Sequence, residues 1–407
     1  MNRFLAILAI CFSAGLTQSA SKAATLPAGT VIDVRLTTAV TSQQPSGKTF
    51  TAVVTVPVMV DGAAVIAPGA KLSGKTAEVK AAGAVDQAAT MKLDFSKITQ
   101  GNGGEESLSA QLLSVDNARE SVGSDGTITG ITESQTWHGR VDQGIDKVAT
   151  NHPGLAGILG SVRDTMLKQV DPSITYPSGV DMQIKLNKAL NYTPSSTPFK
   201  MDPIQPAEEL ATLVGVQPNR TAALQPPSPS DLVNLMFIGT EQELTKAFEA
   251  AGWSTAAALD GNSKMETARA IIDNQGYKEA PVSILTLDGH PPDLVFEKQT
   301  NTFSMRHHIR IWRRSQAFAG APIWLGAGTH DTGIDFSPES RSFTHKIDSH
   351  IDGERAKVTN DLISAHCVKA IALVDRKNLP PDPSNATGDK LITDGKIAVL
   401  QLKPPSA

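Results

Sequence analysis

Histidine, arginine and aspartate are concentrated in one short part of the chain, residues 306–355. Seven of the nine histidines lie between His290 and His366, and most of them stand beside arginine, aspartate or tryptophan. Three segments carry this pattern: RHHIRIW at 306–312, WLGAGTHD at 324–331 and THKIDSHIDGER at 344–355. Side chains of these types bind anions, coordinate metals and transfer protons. The clustering therefore predicts a functional site without identifying a reaction.

The first two segments predict a pocket for an anion. Successive side chains of a strand point to opposite faces, so two arginines, a histidine and a tryptophan of RHHIRIW share one face. Guanidinium groups bind carboxylate or phosphate through paired hydrogen bonds, so we expect an anionic small molecule or a lipid headgroup as the ligand. The alternative is a charged face that contacts only solvent. The predicted ligand-binding residues are Arg306, His308, Arg310, Trp312, Trp324, Asp331 and Arg355.

The strands at 305–313 and 323–331 are predicted to pair as a hairpin, because a short connection with Gly320 and Pro322 joins them. Pairing would bring Arg306 close to Asp331. Glycines on the face of Trp324 would permit close approach by a ligand or another backbone. The other histidine of the first strand, at position 307, falls on the apolar face and is interpreted as a core residue.

The third segment suggests a metal site. Its two histidines and two aspartates lie within eight residues, just before a predicted helix, and imidazole with carboxylate is a ligand set for divalent metals. The predicted metal ligands are His345 and Asp348, and Asp331 could complete the site. No recognised zinc signature occurs. The alternative is that Asp348 or Asp352 caps the helix by accepting hydrogen bonds from its first amides.

These segments belong to a C-terminal domain with both helices and strands. LVNLMFIG at 232–239 predicts a strand buried on both faces, and Thr240 with Glu243 predicts a capping box at a helix start. A second helix is predicted from Ser263 to Gly276. The class is α/β or α+β with one mixed sheet. In the tail, the apolar segments around Asp394-Gly395 predict a hairpin.

The N-terminal part alternates apolar and polar residues in short runs, which predicts an antiparallel β-barrel-like module. Asp61-Gly62 suits a tight hairpin turn. AGTVIDVRLTTAV at 28–40 resembles SGVDMQIKLNKAL at 178–190, so the two segments either close one barrel or match by chance. The domain interpretation is a signal peptide at 1–24, a β-rich module at 25–192 with a helical insertion at about 133–172, a Pro-rich linker at 193–229, a C-terminal domain at 230–377 and a tail at 378–407.

The first residues predict export: Arg3 precedes an apolar run and a small-x-small cleavage site. We expect a secreted, periplasmic bacterial protein without a transmembrane segment in the mature chain. Cys367 is then the single cysteine, so no internal disulfide is expected. The net charge of -4, without a basic tract, argues against nucleic acid as a partner.

Five segments in order resemble the LssY C-terminal domain family: FIGTEQELTKAFEAAGW, PVSILTLDGHPPDLVFEK, RHHIRIW, WLGAGTHDTGI and THKIDSHIDGER. The resemblance covers about residues 230–377. It implies a location in the cell envelope and a relation to phosphate-containing lipids, and it supplies no catalytic residues. The first hundred residues are similar to the TrbI-like β-modules of exported bacterial proteins.

Three hypotheses follow from the sequence. The leading one is an envelope protein that binds an anionic ligand at the arginine face, with the β-module docked to an envelope partner. The second is a metal-dependent hydrolase acting on phosphoesters, in which a divalent metal is the cofactor. The third is a structural envelope component. The sequence leaves open whether the protein is an enzyme.

Overall fold

The computed structural model describes residues 23–83, 87–132, 173–197, 199–224, 227–255, 285–298, 300–301, 305–337, 342–377 and 379–404. The predicted signal peptide up to residue 22, the insertion at 133–172 and the helix from Ser263 to Gly276 lie outside these residues. The described chain divides into two compact units, which we call the N-terminal unit (23–197) and the C-terminal unit (199–404).

The N-terminal unit is built from short β-strands. Its strands are β1 Ala24–Leu26, β2 Val31–Leu36, β3 Val40–Thr41, β4 Thr49–Val54, β5 Val58–Val60, β6 Ala63–Ile66, β7 Lys71–Lys80, β8 Thr90–Thr99, β9 Glu105–Val115, β10 Ser121–Val122, β11 Ile128–Thr129, β12 Thr175–Tyr176, β13 Asp181–Leu186 and β14 Leu190–Tyr192.

Six of these strands close into a barrel in the order β8-β7-β4-β2-β13-β9, and β9 pairs again with β8. Alternate residues point inward, so Ile32, Val34 and Leu36 of β2 are fully buried in one continuous core. Closure pairs the edges that an open sheet would expose. The predicted antiparallel barrel-like module is confirmed.

The two similar segments of this unit lie side by side, because β2 and β13 are antiparallel neighbours with Arg35 opposite Asp181. Arg35 Nε donates to Asp181 Oδ1 at 2.7 Å and Nη2 donates to Oδ2 at 3.2 Å. The predicted Asp61-Gly62 turn joins β5 and β6, with φ angles of 49° and 79°. Both sequence predictions are confirmed.

The C-terminal unit combines strands with helices in its described part. Its strands are β15 Asp202–Pro203, β16 Arg220–Leu224, β17 Pro227–Leu232, β18 Leu235–Ile238, β19 Ser254–Thr255, β20 Leu285–Thr286, β21 Leu294–Lys298, β22 Met305–Phe318, β23 Ala321–Ser337, β24 Ser342–Ile347, β25 Val368–Asp375 and β26 Lys396–Leu402. Its helices are α1 Ala207–Gly215, α2 Glu241–Ala250 and α3 Ile351–Ser364.

One mixed sheet organises this unit, in the order β15-β25-β26-β18-β23-β22-β21-β19, with β24 paired to the far end of β23. The pairs β18–β26 and β15–β25 are parallel, and the others are antiparallel. A smaller sheet contains β17, β16 and β20 in that order. The predicted mixed sheet is confirmed.

The mixed sheet is covered on both faces. On one face, which we call the α2/α3 face, Phe237 and Ile309 pack with Phe248 of α2 and Leu362 of α3. On the opposite face, which we call the α1 face, Met236 and Trp312 pack with Leu210 and Val214 of α1. Apolar burial on both sides is the reason that β18 reads as an uninterrupted apolar run.

The first helix after β18 begins as the sequence predicts. Thr240 Oγ1 accepts a hydrogen bond from the Glu243 amide at 3.2 Å, and the Glu243 carboxylate accepts one from the Thr240 amide at 2.8 Å. This is a complete capping box. Among the described residues, no helix is long and apolar enough to cross a membrane.

The predicted Pro-rich linker contributes packed elements to the C-terminal unit from Phe199 onward. Ile204, which follows β15, and Leu210 and Val214 of α1 are all buried. The spacing of four residues places Leu210 and Val214 on one helix face, so α1 can cover the sheet although prolines surround it.

The tail departs from its prediction. Residues 389–393 do not pair with β26, and β26 instead lies between β25 and β18 inside the mixed sheet. The predicted hairpin at Asp394-Gly395 is therefore wrong in the structure. Ile397 and Leu400 are fully buried, as the continuous apolar run of an internal strand requires.

Candidate functional site

The pairing of β22 with β23 positions the charged side chains of the C-terminal unit. Arg306 lies opposite Asp331, and His308 lies opposite Thr329. These residues alternate with the α2/α3 face, so they project from the α1 face of the sheet. The predicted hairpin and the predicted proximity of Arg306 to Asp331 are confirmed as geometry.

Arg306 is held between two carboxylates. Its Nε donates to Asp331 Oδ2 at 3.1 Å, and its Nη1 lies 3.4 Å from Glu297 Oε2. Within the described part of the chain, Arg306 Nη2 has no hydrogen-bond partner. The Arg306 side chain is 15% exposed, whereas the Asp331 side chain is 2% exposed. One nitrogen of this guanidinium therefore stays outside these hydrogen bonds, on a side chain that is partly exposed.

Burial controls the ionisation of Asp331. It raises the pKa of this carboxyl from 3.8 to about 6, against the opposing attraction of Arg306, Arg310 and His307. Desolvation penalises the charged form of an acid, and here it outweighs three positive or partly positive neighbours. Asp331 can therefore change its protonation state close to neutral pH.

His308 lies between Asp331 and the hydroxyl of Thr329. Its Nε2 lies 2.6 Å from Thr329 Oγ1, and its Nδ1 lies 3.6 Å from Asp331 Oδ1. All three side chains are buried. The imidazole therefore shares a hydrogen bond with the hydroxyl, and at 3.6 Å its other nitrogen is close enough to the carboxylate for electrostatic attraction but not for a hydrogen bond.

Arg310 forms a second buried ion pair on the same face. Its Nη1 lies 3.4 Å from Asp231 Oδ2, and both side chains are almost fully buried. Burial lowers the pKa of Arg310 and raises the pKa of Asp231, with each partner's charge opposing the effect on the other. Asp231 belongs to β17, so this pair fastens the smaller sheet to the mixed sheet.

A family model matches the part of the chain that carries this cluster. Residues 216–397 match the family model described as LssY C-terminus. The match extends on both sides of the range 230–377 expected from the sequence, and the predicted resemblance is confirmed. The curated proteins contain no match to the chain.

Among solved structures, ComB10 of the Com Type IV secretion system of Helicobacter pylori aligns with 17% identity and a TM-score of 0.24. The alignment covers 41% of this chain and 90% of that chain. A TM-score of this size does not establish a shared fold.

The two tryptophans predicted for one pocket lie on opposite faces of the mixed sheet. Trp312 packs on the α1 face and donates from Nε1 to the His290 carbonyl at 3.0 Å. Trp324 packs on the α2/α3 face and donates to the Gly239 carbonyl at 3.0 Å. The expectation of one pocket containing both is wrong, because register partners share a face, and Trp324 is the partner of Arg313, whose side chain points to the face opposite that of Trp312.

Gly326 of β23 permits close packing in the core of the C-terminal unit. A Cβ atom on Gly326 would lie 2.9 Å from Ile309 Cδ1, 3.1 Å from Phe237 and 3.2 Å from Leu235. The close approach predicted at Gly326 therefore involves side chains of the core. Neighbouring strands can carry large apolar residues here because this position carries none.

Arg355, predicted to bind ligand, fastens α3 to the chain before β26. Its Nη1 and Nη2 each donate to the Asp394 carboxylate at 2.8 Å, and Nη1 also donates to the Lys396 carbonyl at 2.6 Å. Asp352, one turn earlier, accepts from Arg355 at 3.0 Å and from the Asp394 amide at 2.6 Å. These contacts assign Arg355 a structural part in the fold, and its part in ligand binding stays a prediction.

The predicted metal ligands are only partly described. The side chain of His345 lies outside the described residues. Asp348 Oδ1 accepts from the His350 amide at 3.0 Å, in the turn before α3. Its carboxylate therefore supports that turn. The N-cap residue of α3 is His350, which makes no side-chain cap hydrogen bond. The metal site at His345 and Asp348 stays a prediction.

A second group of polar side chains lies on the α2/α3 face, where the sequence analysis interpreted His307 as a core residue. His307 Nδ1 lies 2.6 Å from Glu354 Oε2, and the His307 ring stacks on the ring of His330 with centroids 4.2 Å apart. Glu354 is one of the residues that the sequence analysis missed. Its spacing of four from Val358 and of eight from Leu362 places a carboxylate in the apolar stripe of α3, and this is the signal that could have identified it.

Proposed function

We propose that this is an exported envelope protein whose C-terminal unit binds a phosphate- or carboxylate-bearing group at Arg306. The observation that carries the proposal is that, within the described part of the chain, Nη2 of this guanidinium has no hydrogen-bond partner, on a side chain that is 15% exposed. Arginine has five N–H donors in a fixed fork, so two of them can hold Asp331 and Glu297 while others bind an incoming anion.

The proposal rests on Arg306 rather than on Arg310. Arg310 is 4% exposed and is engaged with Asp231, so an anion would have to break a buried pair to reach it. Removing one partner from such a pair leaves an uncompensated buried charge, which costs about 3–5 kcal/mol. Arg310 therefore contributes positive potential and holds β17 in position.

Asp331 gives the proposed binding a pH dependence. An anion next to Arg306 also lies near the negative charges of Asp331 and Glu297, and this repulsion weakens binding. Because the pKa of Asp331 is about 6, protonation near neutral pH removes one of the two charges. We expect anion affinity to rise as the pH falls through 6.

Placement in the envelope is supported by the predicted export signal and by what the LssY resemblance implies. The barrel of the N-terminal unit has no site assigned to it in this proposal. We expect it to dock to an envelope protein partner. A lipid headgroup and a free anion share the chemistry that Arg306 would recognise.

The test is calorimetric titration at pH 5.5 and at pH 7.5 with inorganic phosphate, with glycerol 3-phosphate and with anionic phospholipid vesicles. Wild type is expected to bind at least one of them more tightly at the lower pH, and Arg306→Gln is expected to lose this binding. Arg313→Gln is the matched control, because Arg313 is exposed on the opposite face of the same strand.

The vesicle arm separates a membrane ligand from a soluble one. If all three probes bind Arg306→Gln as well as wild type, or bind neither protein, the anion site is wrong. A metal-dependent turnover of phosphoesters that requires His345 and Asp348 would favour the hydrolase hypothesis instead. Loss of all such responses would leave the structural-component hypothesis.

A further inference from the structure

We propose that His307 and His330 form a binding site for a borderline divalent metal, such as Zn²⁺, Ni²⁺ or Cu²⁺, with Glu354 orienting one ligand. This site lies on the α2/α3 face, opposite the proposed anion site. It shares no residue with the His345 and Asp348 set. It stands or fails independently of the proposed function.

The strand pairing brings the two imidazoles together. His307 on β22 is the direct register partner of His330 on β23. Their rings are stacked with an interplanar angle of 18°, and a nitrogen of one ring lies within 4.8 Å of a nitrogen of the other. Coordination requires the half-buried ring of His330 to rotate so that both nitrogens face one ion at the ordinary Zn–N distance of about 2.0–2.1 Å.

Glu354 provides the support that metal-bound histidines usually have. The hydrogen bond between His307 Nδ1 and Glu354 Oε2 favours the tautomer with its proton on Nδ1, which leaves the lone pair of the imidazole on Nε2. A carboxylate at the far nitrogen also makes the ligand more basic and fixes the plane of the ring. The negative charge of Glu354 offsets part of the charge of a dication in this buried position.

The surroundings favour a metal over a pair of charged imidazoles. Two protonated rings at 4.2 Å would repel each other, whereas two neutral rings can share one cation. His330 is half-buried, so an ion can reach the pair from its side. Imidazole ligands select zinc, copper and nickel over magnesium and calcium, which prefer oxygen. The coordination positions beyond the two nitrogens would be filled by water or by a group of a bound molecule.

The experiment is titration of the metal-free full chain with Ni²⁺ and with Zn²⁺ by calorimetry, and with Cu²⁺ by tryptophan fluorescence. Trp253 suits the optical assay because its ring centroid lies 6.2 Å from that of His307, so a quenching ion in the site should lower its emission. We expect one ion per chain. We expect His330→Gln and His307→Gln to weaken binding at least tenfold, and Glu354→Gln to weaken it by about 10–100-fold while leaving some binding.

Two control variants make the result specific. His290→Gln tests a histidine outside both sets and should bind as wild type does, and His345→Gln distinguishes binding at the other proposed ligand set from binding at this one. Thermal melting of each metal-free variant shows whether it folds, and only folded variants are compared. Unchanged binding in His330→Gln, or loss of binding in His345→Gln, would overturn the proposal. So would the absence of binding by wild type at millimolar metal.

Discussion

Each unit contains an arginine–aspartate pair whose two residues lie opposite each other on neighbouring antiparallel strands. The two pairs differ in how many hydrogen bonds join the guanidinium to the carboxylate. In the barrel, Arg35 holds Asp181 through two hydrogen bonds of 2.7 and 3.2 Å. In the mixed sheet, Arg306 donates one hydrogen bond of 3.1 Å to Asp331, and a second nitrogen of its guanidinium lies 3.4 Å from Glu297.

The difference separates a pair that stabilises the fold from a pair that can also bind a ligand. We call Arg35 with Asp181 the closed pair and Arg306 with Asp331 the open pair. The fork of Arg35 matches both oxygens of its carboxylate, so the charges are compensated where β2 meets β13. The contacts of Arg306 use its Nε and Nη1 and leave Nη2 for another partner. Burial raises the pKa of Asp331 to about 6 in spite of them. The same two residue types, in the same cross-strand arrangement, therefore fix a barrel in one unit and build a candidate site in the other.

The largest expected effect on stability comes from removing Arg35 from the closed pair. Arg35→Leu should lower the free energy of unfolding by about 3–5 kcal/mol, because it leaves the buried carboxylate of Asp181 without its partner. Urea denaturation followed by circular dichroism measures this change. The double variant Arg35→Met with Asp181→Leu should recover most of the loss, since no charge is then buried. A single variant as stable as wild type would contradict the structural role of the pair.

The second prediction concerns the open pair and its pH dependence. The folded pKa of Asp331, about 6, lies above its ordinary value of 3.8, so the folded state binds the extra proton between these values. The contribution of this group therefore weakens stability as the pH rises from about 4 to about 6, by up to about 3 kcal/mol. Asp331→Asn removes this slope.

Unfolding free energies of wild type and Asp331→Asn should be measured from pH 4 to pH 7.5. The stability of the variant relative to wild type should increase with pH over this range. The raised pKa of Asp231 adds a slope of the same sign in both proteins, and because the charge of Asp331 contributes to that shift, the difference between them reports Asp331 together with its effect on Asp231. A difference that is constant with pH would mean that Asp331 is ionised in the folded protein throughout.

The third prediction tests how tightly the core packs against the opposite face of β22 and β23, the strands that carry the open pair. Gly326→Ala should destabilise the protein by about 1–3 kcal/mol, because its new Cβ would meet Ile309, Phe237 and Leu235 at 2.9–3.2 Å. Gly328→Ala is the matched control, since its nearest contacts would be ordinary ones at 3.4 Å. We expect Gly328→Ala to leave thermal stability unchanged or slightly higher. Equal effects of the two substitutions would indicate a loosely packed strand pair.

The smallest expected effect on stability sharpens the comparison most. Glu297→Gln should change the unfolding free energy by less than about 1 kcal/mol, because Glu297 pairs with Arg306 at a partly exposed position. The same substitution should strengthen phosphate binding, since it removes one of the two carboxylates that compete for the guanidinium. Calorimetry of wild type and Glu297→Gln with phosphate decides this. Weaker binding by the variant would place the anion elsewhere.

Much of the fold could be predicted because it depends on local patterns. Alternation indicated the barrel strands, Asp61-Gly62 indicated a turn, and Thr240 with Glu243 indicated a helix start. The hairpin in the tail was wrong because the turn signal at Asp394-Gly395 is local, whereas the burial of β26 between β25 and β18 is not. A turn signal does not reveal which strand will hydrogen-bond to the next one.

For the candidate site, alternation along β22 was enough to group Arg306, His308 and Arg310 on one face. It was not enough to relate that face to β23, and Trp324 was therefore assigned to the wrong side. Asp231 and Glu297 were missed because they reach the site from other strands, and a charged residue in a strand carries no signal of the partner opposite it.

The sequence by itself determined which residues alternate along each strand, where the charged and imidazole groups are concentrated, and the match of 216–397 to the LssY C-terminus. The tertiary structure alone decided that Arg306 is shared by two carboxylates, that Arg355 is committed to Asp394, and that His307 meets His330. The reason is physical. The period of a strand is fixed by its own backbone, whereas the pKa and the partners of a side chain depend on burial and on charges brought from distant positions.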